Sequence, residues 1–210
     1  MTSETDPRNA RRAAFVAAGR EEFFRQGFAG AVMSNVAARV GGSKTTLWTY
    51  FPSKEDLFVA VVDDIVETYG AALSVHLDLN ERIETVLERF GAAMLKTILS
   101  EPILHLHRLV TGEAGRFPQL GTVFYERGAK RGKAKLSLSI ANAMEKDELR
   151  KGDPDLATRQ FTEMCKSGCF QQSLLGMTDQ ATPEAIALDI SESVTMFMRG
   201  WAPAHLDSRR

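Results

Sequence analysis

The sequence is poor in cysteine, with only Cys165 and Cys169, and this excludes the disulfide-rich class of small secreted proteins. It has no run near the ~18 consecutive apolar residues that a membrane-spanning helix needs. The N-terminal segment is polar, contains Arg8, Arg11 and Arg12, and lacks the apolar stretch of a secretory leader. We therefore expect a cytoplasmic protein that makes no membrane contact.

The common motifs of enzyme sites are also missing. No glycine-rich phosphate loop, nucleophile elbow or HExxH pattern occurs in the sequence. His105 and His107 are two positions apart, so on a helix they point to different sides and cannot bind one metal ion together. Cys165 and Cys169 share a helix face, but no second pair or neighbouring histidine completes a site, and we interpret them as buried small side chains. We expect no metal, no cofactor and no enzymatic activity.

Charge of neither sign is in large excess. The chain holds 26 Lys and Arg against 27 Asp and Glu, a net charge of −1. This near-balance disfavours a non-specific DNA-binding protein, whose affinity comes from neutralising phosphates. Residues 1–60 hold 8 basic and 6 acidic side chains, so the N-terminal part is slightly basic. With 44% hydrophobic residues, the chain can build a core for one domain or two small ones.

Helical periodicity is present along the whole sequence, while strand signals are nearly absent. Residues typical of helix caps precede several of the periodic segments, among them Ser43, Ser53, Asp153 and Thr182. We predict an all-α fold of about nine helices, with short helices before residue 52 and longer ones after it. The predicted helices cover about 9–26, 32–40, 44–51, 53–77, 81–99, 102–111, 118–146, 154–175 and 183–200.

The stretch GGSKTTLWTYFPSK, residues 41–54, is too short and too polar to fill a core. Together with the preceding helix and the Gly41-Gly42 turn it predicts a helix-turn-helix, whose second helix enters the DNA major groove. Leu47 and Phe51, four positions apart, form the inward side of this helix. Its outward side carries the four side chains expected to contact base edges: Lys44, Thr45, Thr46 and Thr49. The alternative is a polar, solvated helix in an ordinary bundle.

Three further side chains near this helix suit phosphate contacts. The N–H of Trp48 and the O–H of Tyr50 can bond to phosphate oxygens while the rings pack on the flanking DNA backbone. Lys54 adds a positive charge to the unpaired N–H groups at the start of the fourth helix. We predict that these three side chains hold the DNA backbone.

The stretch GFAGAVMSNVAARVGGSKTTLWTYFPSKEDLF, residues 27–58, resembles the N-terminal DNA-binding signature of the TetR family of transcriptional regulators. The resemblance implies a homodimer that binds a palindromic operator, usually as a repressor, and releases it when a small molecule binds. It also implies a phosphate contact for Ser43. Two positions depart from the family pattern: Ala31 replaces a threonine that caps the second helix and contacts phosphate, and Gly42 replaces the usual valine of the turn. The resemblance then implies that the first of these contacts is missing or moved to Ser34.

The segment 113–120, followed by Phe124-Tyr125, is similar to the stretch that joins helices six and seven in the AefR-like branch of the family. The family pattern divides the chain into a DNA-binding domain at 1–52 and a ligand-binding and dimerisation domain at 53–210, linked by helix four from Ser53. The resemblance also implies a largely apolar effector and an apolar pocket. The residues predicted to line that pocket are Met94, His105, Phe124, Phe161 and Met164.

The last two long helices are expected to form the dimer interface. Each carries a stripe of mostly apolar residues, and two antiparallel pairs of such helices make a four-helix interface. The predicted interface residues are Phe161, Gly168, Gln172, Ile190, Val194, Phe197 and Trp201. The alternative is that both stripes face the core of the protomer itself.

The alternative to a ligand-responsive repressor is a protein of another functional class. A small helical enzyme or ligand-binding protein could use the same pocket without regulating a gene, with His105, His107 or Glu113 as acid–base groups. No paired carboxylates or activated nucleophile supports such chemistry. The helix-turn-helix pattern therefore favours the regulator.

Overall fold

A computed structural model describes residues 6–70, 75–178 and 180–203. These residues form α-helices and one short π-helix, without a strand, so the predicted all-α class is confirmed. No helix in this part of the chain is long and apolar enough to cross a membrane. The helices are α1 (Pro7–Gly30), α2 (Met33–Arg39), α3 (Lys44–Tyr50), α4 (Lys54–Tyr69), α5 (Ile83–Ile98), α6 (Glu101–Glu113), α7 (Pro118–Phe124), the π-helix (Tyr125–Ala129), α8 (Lys130–Glu145), α9 (Pro154–Cys165), α10 (Cys169–Leu174) and α11 (Pro183–Gly200).

The predicted helix caps are confirmed. The Ser43 hydroxyl accepts a hydrogen bond from the backbone N–H of Thr46 at 3.1 Å. Ser53, Asp153 and Thr182 accept equivalent bonds in the first turns of α4, α9 and α11. Each of these side chains satisfies an N–H group that has no partner within its own helix.

The fourth helix is shorter than the sequence predicts. It ends at Tyr69, and residues 75–78 are not helical. Residues 71–74 of the predicted helix lie outside the described part of the chain. Gly70 directly follows the last helical residue, and glycine is the commonest residue at a helix end.

Two long predicted helices are interrupted. The segment 118–146 contains the π-helical residues Tyr125–Ala129. The segment 154–175 breaks between α9 and α10 at Gly168, whose φ of −107° and ψ of −108° are not helical. The N–H of Cys169, the first residue of α10, donates to the carboxylate of Asp189 on α11 at 2.7 Å. The start of α10 is therefore fixed by a contact with α11. Sequence periodicity alone does not reveal such a break between two helices.

The chain divides into two compact units. The first contains Met1–Thr68 and His105–Arg127, and the second contains Tyr69–Leu104 and Gly128–Arg210. The first unit thus combines α1 to α3 with most of α4, most of α6 and all of α7. This division by packing differs from the functional division after residue 52, which stays a prediction.

Aromatic side chains build the core of the first unit. Phe23 of α1 is fully buried, and Phe28 and Phe58 are almost fully buried. The ring centres of these three residues lie 5.6 to 5.7 Å apart, and Phe58 meets both of the others edge to face. Three apolar residues of α4, spaced four positions apart, are buried in the same unit: Leu57, Val61 and Ile65. This packing fixes α1 against α4.

Aromatic side chains pack together in the core of the second unit, near the C-terminal end of α11. Phe161 and Phe197 meet edge to face with ring centres 5.4 Å apart, and Trp201 stacks on Phe197. The guanidinium carbon of Arg150 lies 3.9 Å from the centre of the Trp201 ring. The indole N–H of Trp201 donates to the side chain of Gln160 at 3.0 Å. These contacts fasten the C-terminal end of α11 to α9.

Candidate nucleic-acid interface

A buried carboxylate on α1 holds the start of α2. Glu22 has no exposed surface, and its Oε1 accepts hydrogen bonds from the N–H of Val32 at 3.3 Å and from the Asn35 amide at 3.1 Å. Its Oε2 accepts from Arg25 at 2.9 Å and lies 3.5 Å from a guanidinium nitrogen of Arg39. Val32 is the N-cap of α2 and offers no side-chain acceptor of its own. Glu22, on the neighbouring helix, instead accepts the N–H of Val32 itself and the side-chain amide of Asn35 in the first turn of α2.

The hydrogen bonds that Glu22 accepts also determine its pKa. Burial raises the pKa of Glu22, but hydrogen bonds from Asn35, Val32 and Arg25 outweigh burial and hold the pKa below its ordinary value. The side chain is charged at neutral pH. No local sequence pattern predicts these contacts, because the partners of Glu22 lie on α1 and on α2. The available signal was the position of Glu22 on the side of α1 that it shares with Gly19 and Phe23.

The turn between α2 and α3 is closed by carbonyl groups of α2. The N–H of Gly42 donates to the carbonyl of Ala37 at 3.0 Å, and the N–H of Gly41 donates to that of Ala38 at 3.1 Å. These two bonds form a Schellman motif. Gly41 has a φ of +67°, which residues with a Cβ rarely adopt. The glycine-containing turn predicted from the sequence is confirmed.

Helix α3 has one buried and one exposed side. Leu47 and Phe51 are buried, as predicted for the inward side. Lys44, Thr45 and Thr49 are exposed. The outward side therefore carries one ammonium and two hydroxyl groups, which are suitable donors and acceptors for base edges.

The remaining predicted DNA contacts lie at the margin of α3. Thr46 is half-buried, and its hydroxyl lies 3.0 Å from that of Ser43. Trp48 and Tyr50 are half-buried, and the Tyr50 ring packs against Phe15 with ring centres 5.4 Å apart. Part of each side chain is thus used inside the protein, and its contact with DNA stays a prediction.

Lys54 is bonded within the first unit. Its Nζ donates to the carbonyl oxygens of Ala29 at 3.1 Å and Ala31 at 3.0 Å. Burial lowers the pKa of Lys54, and the negative charges of Glu55 and Glu113 oppose this effect only in part. The ammonium binds the carbonyl groups that end α1, while its predicted phosphate contact stays a prediction.

Glu113 of α6 holds the same end of α1. Its Oε1 accepts a hydrogen bond from the N–H of Ala29 at 3.1 Å. Gly27, with a φ of +71°, lies so close that an added Cβ would be 2.6 Å from this oxygen. The ring of Phe117 packs on Phe28 with ring centres 5.0 Å apart. Glu113, a candidate acid–base group in the sequence, is thus a structural hydrogen-bond acceptor for the end of α1.

The five predicted pocket residues fall in both compact units. His105 and Phe124 belong to the first unit, where each packs edge to face against an aromatic neighbour. Met94 and Phe161 lie in the core of the second unit, and Met164 lines an open groove of about 530 Å³ between α9 and α11. The composition of the pocket stays a prediction.

Most of the predicted dimer residues lie in the core of the second unit. Gln172 is exposed, and Gly168 lies directly against Asp189. The exposed apolar side chains of α11 are instead Leu188 and Met196, which expose 60% and 57% of their surface. The predicted interface residues that are no more than 8% exposed are Phe161, Ile190, Val194, Phe197 and Trp201.

Cys165 and Cys169 are buried, as we interpreted them. Burial raises the pKa of Cys165 to about 11 and that of Cys169 to about 12, and the negative charge of Asp189 contributes to both increases. Both thiols are therefore protonated at neutral pH, whereas metal binding and oxidation require the thiolate. No cluster of three or more His, Cys, Asp or Glu that could hold a metal occurs in the described part of the chain.

Two family models match this sequence. The model for bacterial regulatory proteins of the tetR family matches residues 15–61. The model for the C-terminal domain of AefR-like transcriptional repressors matches residues 85–203, more than half of the chain.

Individual relatives are similar in sequence or structure. The transcriptional activator FasR of Mycolicibacterium smegmatis is 35% identical over 88 residues, 40% of this chain and 40% of FasR. The regulator RutR of Escherichia coli K12 is 38% identical over 65 residues, 31% of each chain. The aligned segments thus span two fifths or less of these curated relatives.

Solved structures match over nearly their whole length. The flavonoid-responsive regulator FrrA is 28% identical, with a TM-score of 0.80 over 93% of this chain and 98% of FrrA. A TetR-family regulator from Mesorhizobium loti has a TM-score of 0.74 at 24% identity, over 94% of this chain and 99% of its own. The second similarity concerns the fold alone.

Proposed function

The chain belongs to the TetR family of bacterial regulatory proteins, and we propose that it is a cytoplasmic repressor that binds a palindromic DNA operator as a homodimer. The C-terminal model of AefR-like repressors supports repression, whereas FasR is named as an activator. A small, largely apolar molecule releases the operator. The protein acts as a regulator and not as an enzyme.

The main support for operator binding is the exposed side of α3. Lys44, Thr45 and Thr49 are exposed, while Leu47 on the opposite side is completely buried. A lysine ammonium can donate to the acceptors of guanine, and threonine combines a hydroxyl with a methyl group that suits thymine. A helix with this division of sides exposes its polar side chains to the major groove, while the protein buries its apolar ones.

Lys44→Ala and Thr45→Ala are each expected to weaken operator binding and to relax the base preference at one position of each half-site. Loss of one good base contact costs about 1–3 kcal/mol of binding free energy. The operator sequence is first identified by selecting duplexes that the wild-type protein binds from a randomised pool. Gel-shift titration of single-base variants of that operator then measures the change in affinity and base preference.

Lys96→Ala is the matched control for the lysine variant. Lys96 is exposed in the last turn of α5, so the variant removes the same charge from another part of the chain. It should keep the wild-type base preference. A Lys44→Ala protein with wild-type affinity and base preference would contradict a base-reading role for α3.

The dimer contact is proposed for the exposed side of α11. A dimer on a palindrome holds its two reading helices one DNA turn or a multiple apart, near ~34–36 Å for one turn. Leu188 and Met196 are exposed apolar residues of α11, and Met196 lines the groove that also contains Met164. Apolar side chains that are exposed together favour burial against a second copy.

Leu188→Asp is expected to produce monomers in sedimentation velocity, because association would bury a carboxylate in an apolar interface. Leu138→Asp should stay dimeric, since Leu138 is an equally exposed leucine on α8. Phe197 is unsuitable for this test because it is 1% exposed within the protomer, so a charge there would disrupt folding. A dimeric Leu188→Asp protein would place the interface on another surface.

A flavonoid is the first effector to test, because FrrA is named as flavonoid-responsive and matches 93% of this chain. We expect quercetin to weaken operator binding by roughly 5–150-fold, the range of typical allosteric coupling. By linkage the operator should weaken quercetin binding by the same factor. Fluorescence anisotropy of labelled operator measures the first effect, with operator DNA alone as the control. An operator affinity that is independent of quercetin would exclude this compound as the effector.

A further inference from the structure

Three arginines of α1 are not used by the contacts described above. Arg8, Arg11 and Arg12 are exposed, and their spacing of three and four residues places them on one side of the helix. Among residues 6–70, 75–178 and 180–203, no carboxylate forms an ion pair with any of the three.

One of the three, Arg8, lies where the helix dipole disfavours a positive charge. The N-terminal end of a helix carries a partial positive charge, which favours acidic and disfavours basic side chains. The first turn of α1 contains no acidic residue, and Asp6, the N-cap, accepts a hydrogen bond from the N–H of Arg8 at 3.1 Å. Arg8 also lies four positions from the like charge of Arg12, which is unfavourable on a helix, and an anionic partner would offset this cost.

Two of the guanidinium groups lie at the two ends of α3. An Nη of Arg11 is 3.2 Å from the position that a Cβ on Gly42 would occupy, in the turn before α3. The guanidinium carbon of Arg12 lies 5.1 Å from the ring centre of Phe51, the residue that ends α3. The exposed Lys44 and Thr49 lie between these two points along the helix. Each of the two exposed guanidinium groups therefore lies next to one end of α3.

We propose that Arg11 and Arg12, supported by Arg8 one turn away, bind phosphates of duplex DNA on both sides of the bases that α3 contacts. This inference rests on the proposed operator binding by α3. A guanidinium group has a planar set of donors that can bind phosphate oxygens in pairs. Double-stranded RNA does not fit the same surface, because its major groove is too deep and narrow for a helix.

The number of phosphate contacts is measured by the salt dependence of binding. Each lost contact reduces the slope of log K against log salt by about 0.9 for duplex DNA. The Arg11→Gln/Arg12→Gln variant should therefore lower the slope by about 1.8 and weaken different duplex sequences alike. The measurement is anisotropy of a labelled, mixed-sequence duplex and of the selected operator, each over a series of KCl concentrations.

Two variants control for charge and for packing. Arg11→Lys/Arg12→Lys keeps both charges and should keep most of the slope. Arg82→Gln removes an exposed arginine that pairs with Glu84 in α5, and it should leave the slope unchanged. Thermal unfolding followed by circular dichroism shows whether the glutamine variant is folded.

Each result separates this inference from its premise. A folded Arg11→Gln/Arg12→Gln protein with the wild-type slope overturns the phosphate role, while wild-type binding still supports the proposed regulator. If the glutamine variant has the wild-type slope but a lower melting temperature, the role of Arg12 is to pack on Phe51 and not to bind phosphate. Binding to vesicles of an anionic phospholipid is measured for both proteins. If the glutamine variant loses vesicle binding but keeps the wild-type DNA slope, the arginines bind a membrane surface and the phosphate role on DNA is overturned. A wild-type protein that binds no duplex overturns the proposed function together with this inference.

Discussion

Glu22→Ala should lower the free energy of unfolding by about 2 kcal/mol, because it removes a buried, charged acceptor and the hydrogen bonds that join α1 to the start of α2. The wild-type carboxylate is fully buried and accepts bonds from Val32, Asn35 and Arg25. In the variant the N–H of Val32, the N-cap of α2, and the amide of Asn35 lose this acceptor, so the helix pair that carries α3 should also bind operator more weakly. Urea unfolding and operator titration measure the two effects.

Glu21→Ala is the matched control on the adjacent residue. Glu21 exposes 64% of its side chain and pairs with Arg39 at 2.5 Å. Exposed ion pairs contribute about 0–1 kcal/mol, so this variant should be close to the wild type in stability. If Glu21→Ala and Glu22→Ala lowered the free energy of unfolding equally, the burial of the Glu22 carboxylate would not explain its contribution to stability.

The stability that Glu22 contributes should depend on pH with a defined sign. Its folded-state pKa is held below the ordinary value, so the contribution is complete above the unfolded-state pKa and is lost as the pH falls through the folded-state pKa. The gap in melting temperature between the wild type and Glu22→Gln should be largest near neutral pH and should narrow in acid. A gap that is constant over this range would contradict the role of the charge.

The helix-turn-helix could be predicted from sequence because its signals are local. Ser43 caps the helix that it directly precedes, and the left-handed turn at Gly41 needs only that residue and the carbonyl groups of α2. The inward positions Leu47 and Phe51 follow from helical spacing alone. The resemblance to the TetR family, based on the same residues, is confirmed by the family models.

Other features depend on contacts between distant segments. An apolar stripe such as Ile190, Val194 and Phe197 predicts burial, but its spacing does not say whether the covering surface is the same chain or a second copy. The role of Glu113 at the end of α1 likewise requires the position of α6, and the role of Lys54 requires the position of α4; no local pattern supplies either position. Sequence periodicity therefore predicted which residues are buried better than it predicted their partners.

Gly168→Ala should destabilise the protein by about 2–3 kcal/mol, because the new methyl group displaces a bonded carboxylate. An added Cβ would lie 2.1 Å from one oxygen of Asp189 and 2.5 Å from the other. The second oxygen accepts the N–H of Cys169 at 2.7 Å, so moving the carboxylate removes the acceptor that starts α10. The midpoint of urea unfolding measures this loss.

Two controls distinguish the clash from a general effect of alanine. Gly200→Ala adds the same methyl group on α11, where no atom lies within 4 Å of the new Cβ, and should be nearly neutral. Asp189→Ala removes both the hydrogen bond and the obstacle, so adding Gly168→Ala to it should cost clearly less than in the wild type. The energies of neighbouring residues that share one contact are expected to be non-additive in this way. If the two substitutions were additive, the methyl group would not act through Asp189, and the break between α9 and α10 would need another cause.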